Sequence, residues 1–136
     1  MATQRDRVAY HEAGHVTIAL VDGLDLRSAS IEPEPVVLTD WRRTVFSTTP
    51  HRLARFYLGG FCAESRFAPS ATRALNSRLD FERARESLGE KSHWIFLLSA
   101  VDEIIAAHWS EVDAIARALL ERGTLSGDEI ARLRDF

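Results

Sequence analysis

The residues of this chain whose types and spacing could do chemistry are His11-Glu12-Ala13-Gly14-His15, two histidines four apart with a glutamate directly after the first. On a helix, side chains four residues apart share a face, with Cβ atoms about 5–6 Å apart. That separation lets two imidazole nitrogens reach one zinc ion at about 2.0–2.1 Å. Glu12 is then placed beside the ion, suited to take a proton from a water that the ion has acidified rather than to bind the ion itself. The chemistry implied is metal-assisted hydrolysis.

The motif needs a helix, and its flanks supply one. From Gln4 to about Val21 there is no proline, and Val8, His11, Glu12, His15, Ile18 and Ala19 recur at helical spacing. Both histidines therefore fall on the inward face. Two buried imidazoles with a carboxylate between them are costly to hold without a compensating ion; a pair of core histidines satisfied by hydrogen bonds is the plainer reading. Gly14 weakens such a helix by about 1 kcal/mol relative to alanine, so its presence implies that another backbone packs closely there.

A catalytic zinc with two histidine ligands is commonly completed by a carboxylate oxygen. Asp80, Glu64 and Glu82 are the candidates, and spacing alone does not choose among them. Pro50 opens a second helix to about Arg66, with Leu53, Phe56, Tyr57, Gly60, Phe61 and Glu64 on one face. A glutamate on that apolar stripe needs a partner, and the metal or one of its histidines is the nearest. Asp80 stands where a third helix is expected to begin, running to about residue 88, and helix capping alone would also account for an acid there.

The remaining elements are less informative chemically. Ser28 to Ile31 and Thr44 to Thr48 are β-prone runs separated by Pro33, Pro35 and a polar connection, which predicts a small sheet over residues 28–48. By analogy with metalloproteases, Thr44 to Thr48 would be the edge that pairs with an extended peptide. Trp94 to Glu121 carries a helical apolar stripe ended by Gly123, and Ser126-Gly127-Asp128-Glu129 matches a capping box for a last helix over residues 126–134. His51, His93, His108 and Trp109 form no ligand-spaced pair and read as packing or surface residues. Cys62, in Gly59-Gly60-Phe61-Cys62-Ala63, reads as a small buried side chain rather than a nucleophile.

Composition narrows the classes. At 136 residues and 46% hydrophobic, the chain fits one domain over residues 1–136, with an α+β, mainly helical architecture and a small β-sheet beside the histidine-bearing helix. A net charge of −3 leaves no basic stripe for nucleic acid. No run approaches a membrane span, no signal-peptide core is present, and a single cysteine agrees with a reducing compartment, so a cytoplasmic protein is expected.

Four segments in order, Ala9-Tyr10-His11-Glu12-Ala13-Gly14-His15, Leu58-Gly59-Gly60-Phe61-Cys62-Ala63-Glu64, Leu79-Asp80-Phe81-Glu82-Arg83-Ala84 and Ala118 through Gly127, span nearly the whole chain. Together they resemble the peptidase domain of FtsH-type ATP-dependent zinc proteases. The resemblance implies a metallopeptidase in which His11, His15 and Asp80 hold Zn2+ and Glu12 is the catalytic base. It places the family's Gly-Gly-then-acid motif on Gly59, Gly60 and Glu64, leaving Glu64 to support a ligand. The implied partners are a polypeptide substrate, further copies of the chain in a ring, and a separate AAA+ ATPase, since the chain has no Gly-x-x-x-x-Gly-Lys-Ser/Thr loop of its own. The segment before the long C-terminal helix is shorter than in the family. The expectation is a zinc metalloendopeptidase acting on unfolded or extended polypeptides. The alternatives are a catalytically silent zinc-binding module, against which the intact Glu12 argues, a proteolytic subunit dependent on a separate ATPase, and a metal-free helical protein.

Overall fold

The structure, a computed structural model, describes residues 2–39, 49–69, 74–88 and 94–133. Helix α1 spans Gln4–Asp22. Its start is fixed by a reciprocal cap: the Thr3 hydroxyl accepts from the Asp6 backbone N–H at 3.0 Å, and the Asp6 carboxylate accepts from the Thr3 N–H at 2.9 Å. It ends at Gly23, whose φ of 72° is the left-handed conformation that glycine adopts without strain. Every residue from Ala9 to Ala19 is buried. A surface helix buries one stripe, so α1 is the central element, covered on several sides.

Helix α2 (Pro50–Phe67) supplies the largest of those covers. The Thr49 hydroxyl caps it by accepting from the Arg52 N–H at 3.2 Å, and Pro50 occupies the first turn. The two helices meet backbone to backbone. A Cβ added at Gly14 would fall on the Gly59 carbonyl oxygen, and one added at Gly59 would lie 2.7 Å from the Gly14 carbonyl oxygen. The close approach expected from Gly14 is therefore present, and Gly59 is its counterpart.

Helix α3 (Ala74–Leu88) packs on α2, and α4 (Trp94–Ala107) and α5 (Trp109–Arg122) complete the helical layer, α5 against the far side of α1. Strands β1 (Leu26–Ser30), β2 (Val36–Thr39) and β3 (Thr124–Ser126) form an antiparallel sheet in the order β2-β1-β3 beside α1, with Ala29 opposite Val37 and Leu125. A final helix α6 (Gly127–Leu133) starts at the expected capping box: Glu129 N–H donates to the Ser126 hydroxyl at 3.1 Å, and the Glu129 carboxylate accepts from the Ser126 N–H at 3.2 Å. Ile18, Leu58, Ile105, Ile115, Leu119, Leu125 and Ile130 are fully buried where these layers meet. The described part of the chain is thus mainly helical with one small antiparallel sheet. None of its helices is long and apolar enough to cross a membrane.

Three expectations change. The third helix begins at Ala74, not near Asp80, so Asp80 lies within its second turn rather than at a cap. The long helix over 94–121 is two, broken at His108, whose ψ of 25° departs from helical geometry. Val36–Thr39, inside the stretch read as a connection, is a strand and pairs with β1, while Thr44 to Thr48 lies outside the described residues.

Because the α1–α2 crossing has no room for a methyl group, Gly14→Ala and Gly59→Ala should each destabilise by about 1–3 kcal/mol or more, despite alanine's better helix propensity. Urea unfolding would check this. Wild-type midpoints in both variants would mean that the backbones do not touch.

Candidate metal centre

Side chains from two helices converge on one point, and a third helix supports them from behind. His11 and His15 come from successive turns of α1, Glu64 from α2 and Asp80 from α3. The His15 Nδ1–H donates to the Phe56 backbone carbonyl at 2.7 Å. A carbonyl oxygen only accepts, so in the neutral ring the Nε2 of His15 carries a lone pair. The His11 Nδ1–H donates to Glu64 Oε1 at 3.0 Å, which fixes the same tautomer. Glu64 is 1% exposed, and its expected partner is one of the histidines.

The two Nε2 atoms, 3.2 Å apart, face Asp80 Oδ2 at 2.9 Å from His11 and 3.1 Å from His15. Three acceptors at mutual contact repel unless a cation lies among them. Zinc bonds of about 2.0–2.1 Å in tetrahedral geometry set ligand atoms about 3.3 Å apart, close to the spacing seen. His11, His15 and Asp80 are thus spaced to hold such an ion, which would supply Lewis acidity at this point.

The floor of this space is Gly60, one turn beyond Phe56 on α2. A Cβ there would lie 2.5 Å from both Nε2 atoms. The site is thus a cradle kept open by the missing side chain. Phe56, Gly60 and Glu64 are four residues apart and form one stripe of α2, meeting His15, both rings and His11 in turn.

Glu12 is only 7% exposed and makes no hydrogen bond to any described residue. Its donor atom belongs, with those of His11 and His15, to a group lying within 4.8 Å of one another. Asp80 Oδ2 contacts both Nε2 atoms, whereas Glu12 lies close to the rings without a hydrogen bond to them. Burial raises the Glu12 pKa, partly offset by His15 and His11 and reinforced by Asp80. Burial opposes charge on His11 too, yet its hydrogen bonds to Asp80 and Glu64 push its pKa up to about 9. Asp80, despite burial, is held well below the usual carboxylate range by His11 and His15.

The other candidates fall elsewhere. Glu82 is exposed and pairs with Arg78 at 3.3 Å, which removes it from the ligand set. His51 is exposed, and His108 contacts Glu111 at 3.3 Å at the break between α4 and α5. Trp109 packs against Tyr10, ring centroids 5.7 Å apart, and His93 lies outside the described residues. Cys62 is buried, with its thiol pushed up to about 12 by burial and by Asp102. The site opens into a cleft of about 350 Å3, whose lining includes Val36 and Val37 of β2 and Tyr57 and Arg83 of the helices. Tyr57 falls on the predicted face of the second helix, whereas Val36 and Val37 carry no signal in the sequence, because the pairing that brings β2 to the site has no local signature. No protein-family model matches this chain, and no curated protein matches it in sequence.

Two outcomes are expected in zinc titrations. Asp80→Ala should weaken binding far more than Glu64→Ala, whose support of His11 is worth about 10–100-fold; equal losses would remove Asp80 as a ligand. With the His11 pKa at about 9, the metal-free site at pH 7 holds a proton that zinc must displace. Apparent affinity should therefore rise with pH, by up to about tenfold per unit, and level off above that pKa. Calorimetry in buffers of different ionisation enthalpy counts the released protons.

Proposed function

We propose that this domain is a zinc-dependent metallopeptidase in which His11, His15 and Asp80 hold the ion and Glu12 is the general base. The observation that carries the reading is the convergence of three lone-pair-bearing atoms, at 2.9, 3.1 and 3.2 Å, above a floor where a Cβ would intrude. Zinc, when bound, supplies Lewis acidity that brings the pKa of water to about 7 and polarises a carbonyl.

The chain's own residues do the rest. Glu12, in the cleft and free of competing hydrogen bonds among the described residues, accepts the proton of the attacking water and can return it to the leaving amine. Burial raises its pKa above the usual glutamate value, the direction that strengthens it as a base. Phe56 and Glu64 hold the two rings in the tautomer that presents Nε2.

A polypeptide substrate suits the cleft because β2, an edge strand of the sheet among the described residues, lines it, and an extended chain can pair with a strand edge. Val36 and Leu38 on that strand are 37% and 47% exposed. The sequence resemblance to FtsH-type peptidase domains favours the same chemistry. Unfolded chains are the expected substrates, since a scissile bond must reach the ion with its backbone free.

Zinc-loaded protein should cleave casein without ATP and lose that activity to a chelator, while a stably folded domain stays intact. Glu12→Gln should keep zinc and lose activity by about two orders of magnitude or more. Undiminished hydrolysis by Glu12→Gln would remove Glu12 as the base. Zinc binding with no hydrolysis would favour a silent module, and activity appearing only with an added ATPase would favour a dependent subunit.

A further inference from the structure

Among the described residues that line the cleft, Arg83 is the sole lysine or arginine. It follows Asp80 by three residues on α3, which places the two side chains on one face about 5–6 Å apart at Cβ. Five other arginines are paired with carboxylates: Arg5 with Glu32, Arg55 with Asp22, Arg78 with Glu82, Arg117 with Asp113 and Arg122 with Glu129. Arg83 pairs with no carboxylate among the described residues. Its guanidinium lies 5.9 Å from the centroid of the Tyr57 ring, and Tyr57 is itself only 8% exposed. Arg83 is itself exposed, and a cation over an aromatic face gains a modest attraction that leaves its charge available.

The same two side chains also line a second hollow, with Glu86 and Ser87, so the Tyr57–Arg83 pair forms the boundary between that hollow and the metal cleft. Three carboxylates, Glu12, Glu64 and Asp80, line the cleft. Away from the ion and the two histidines, only Arg83 among the lining side chains offers an anionic group on a substrate a permanent positive charge. The planar guanidinium presents paired N–H donors that match the two oxygens of a carboxylate.

We propose that Arg83, steadied by Tyr57, binds a carboxylate of the peptide substrate close to the scissile bond. The carboxylate is the terminal one of the chain or that of an acidic side chain. This specificity rests on the peptidase reading above.

The test uses zinc-loaded protein and four peptides built on one cleaved sequence, ending in a free acid or an amide and carrying Glu or Gln beside the scissile bond. At least one carboxylate peptide should exceed its uncharged counterpart in kcat/KM by about tenfold or more, chiefly through KM. Arg83→Gln should abolish that preference and Arg83→Lys should restore part of it, because the charge returns without the fork. Preference for the terminal acid would assign trimming of chain ends. Preference for internal Glu would assign an acidic subsite within the chain. Equal rates for all four peptides, or a preference that survives Arg83→Gln, would overturn the proposal.

A second measurement does not depend on turnover. In zinc-loaded Glu12→Gln, the Arg83 Nε–Hε resonance should shift with the acid peptide and not with its amide. If wild type hydrolyses nothing yet this shift occurs, the peptidase reading fails and the carboxylate site stands. If wild type hydrolyses peptides and the shift is absent with every carboxylate peptide, the carboxylate site fails and the peptidase stands.

Discussion

Gly14 and Gly59 bring the backbones of α1 and α2 together with no side chain between them, and the geometry of the centre follows from that contact. Once the helices touch there, the stripe of α2 that faces α1 is set. Phe56 arrives against His15, Gly60 lies under both rings and Glu64 reaches His11. A wider separation would break both ring-orienting hydrogen bonds together, because side-chain and backbone donors tolerate only a few tenths of an ångström beyond about 3.2 Å. Rigid backbone packing therefore substitutes for a long chain of supporting side chains.

The centre also shows what burial demands of polar groups. His11, Glu12, His15 and Glu64 are all buried on or against the central helix, where unpaired polar atoms are costly. The Nδ1 atoms are satisfied by protein. The Nε2 atoms and Asp80 Oδ2 are satisfied only by something positive between them, a proton in the metal-free protein or a metal ion. The raised His11 pKa and lowered Asp80 pKa express the same demand through protons. A dication bound there would also supply folding free energy, because the unfolded chain has no such arrangement.

How much of this was legible in the sequence depends on the range of the interaction. His11, Glu12 and His15 lie within one helical turn or so of each other, and their shared face followed from spacing. Gly14 signalled a close backbone, and Glu64 on an apolar stripe signalled a buried partner; both signals came from a residue at odds with its surroundings. Spacing left Asp80 one of three acids and only the resemblance favoured it; the packing of α3 on α2 brings it to the histidines and leaves Glu82 beside Arg78. The start of α3 was placed late because Asp80 resembles a cap, yet it is held by the histidines instead. The break at His108 occurs without proline or glycine, and β3 is three residues long, so neither leaves a periodicity to read. The pairing of β1 with β3, almost a hundred residues away, is decided by tertiary packing.

The floor of the site gives Gly60 a role unlike that of any ligand. In a lineage of such chains, the two histidines, the aspartate and the glutamate could all persist while one added methyl at this position filled the space for the ion. The ligand signature by itself is therefore an incomplete marker of metal occupancy in domains built this way. Whether a given member retains the capacity is recorded as well in a residue that touches no substrate and donates no electron pair.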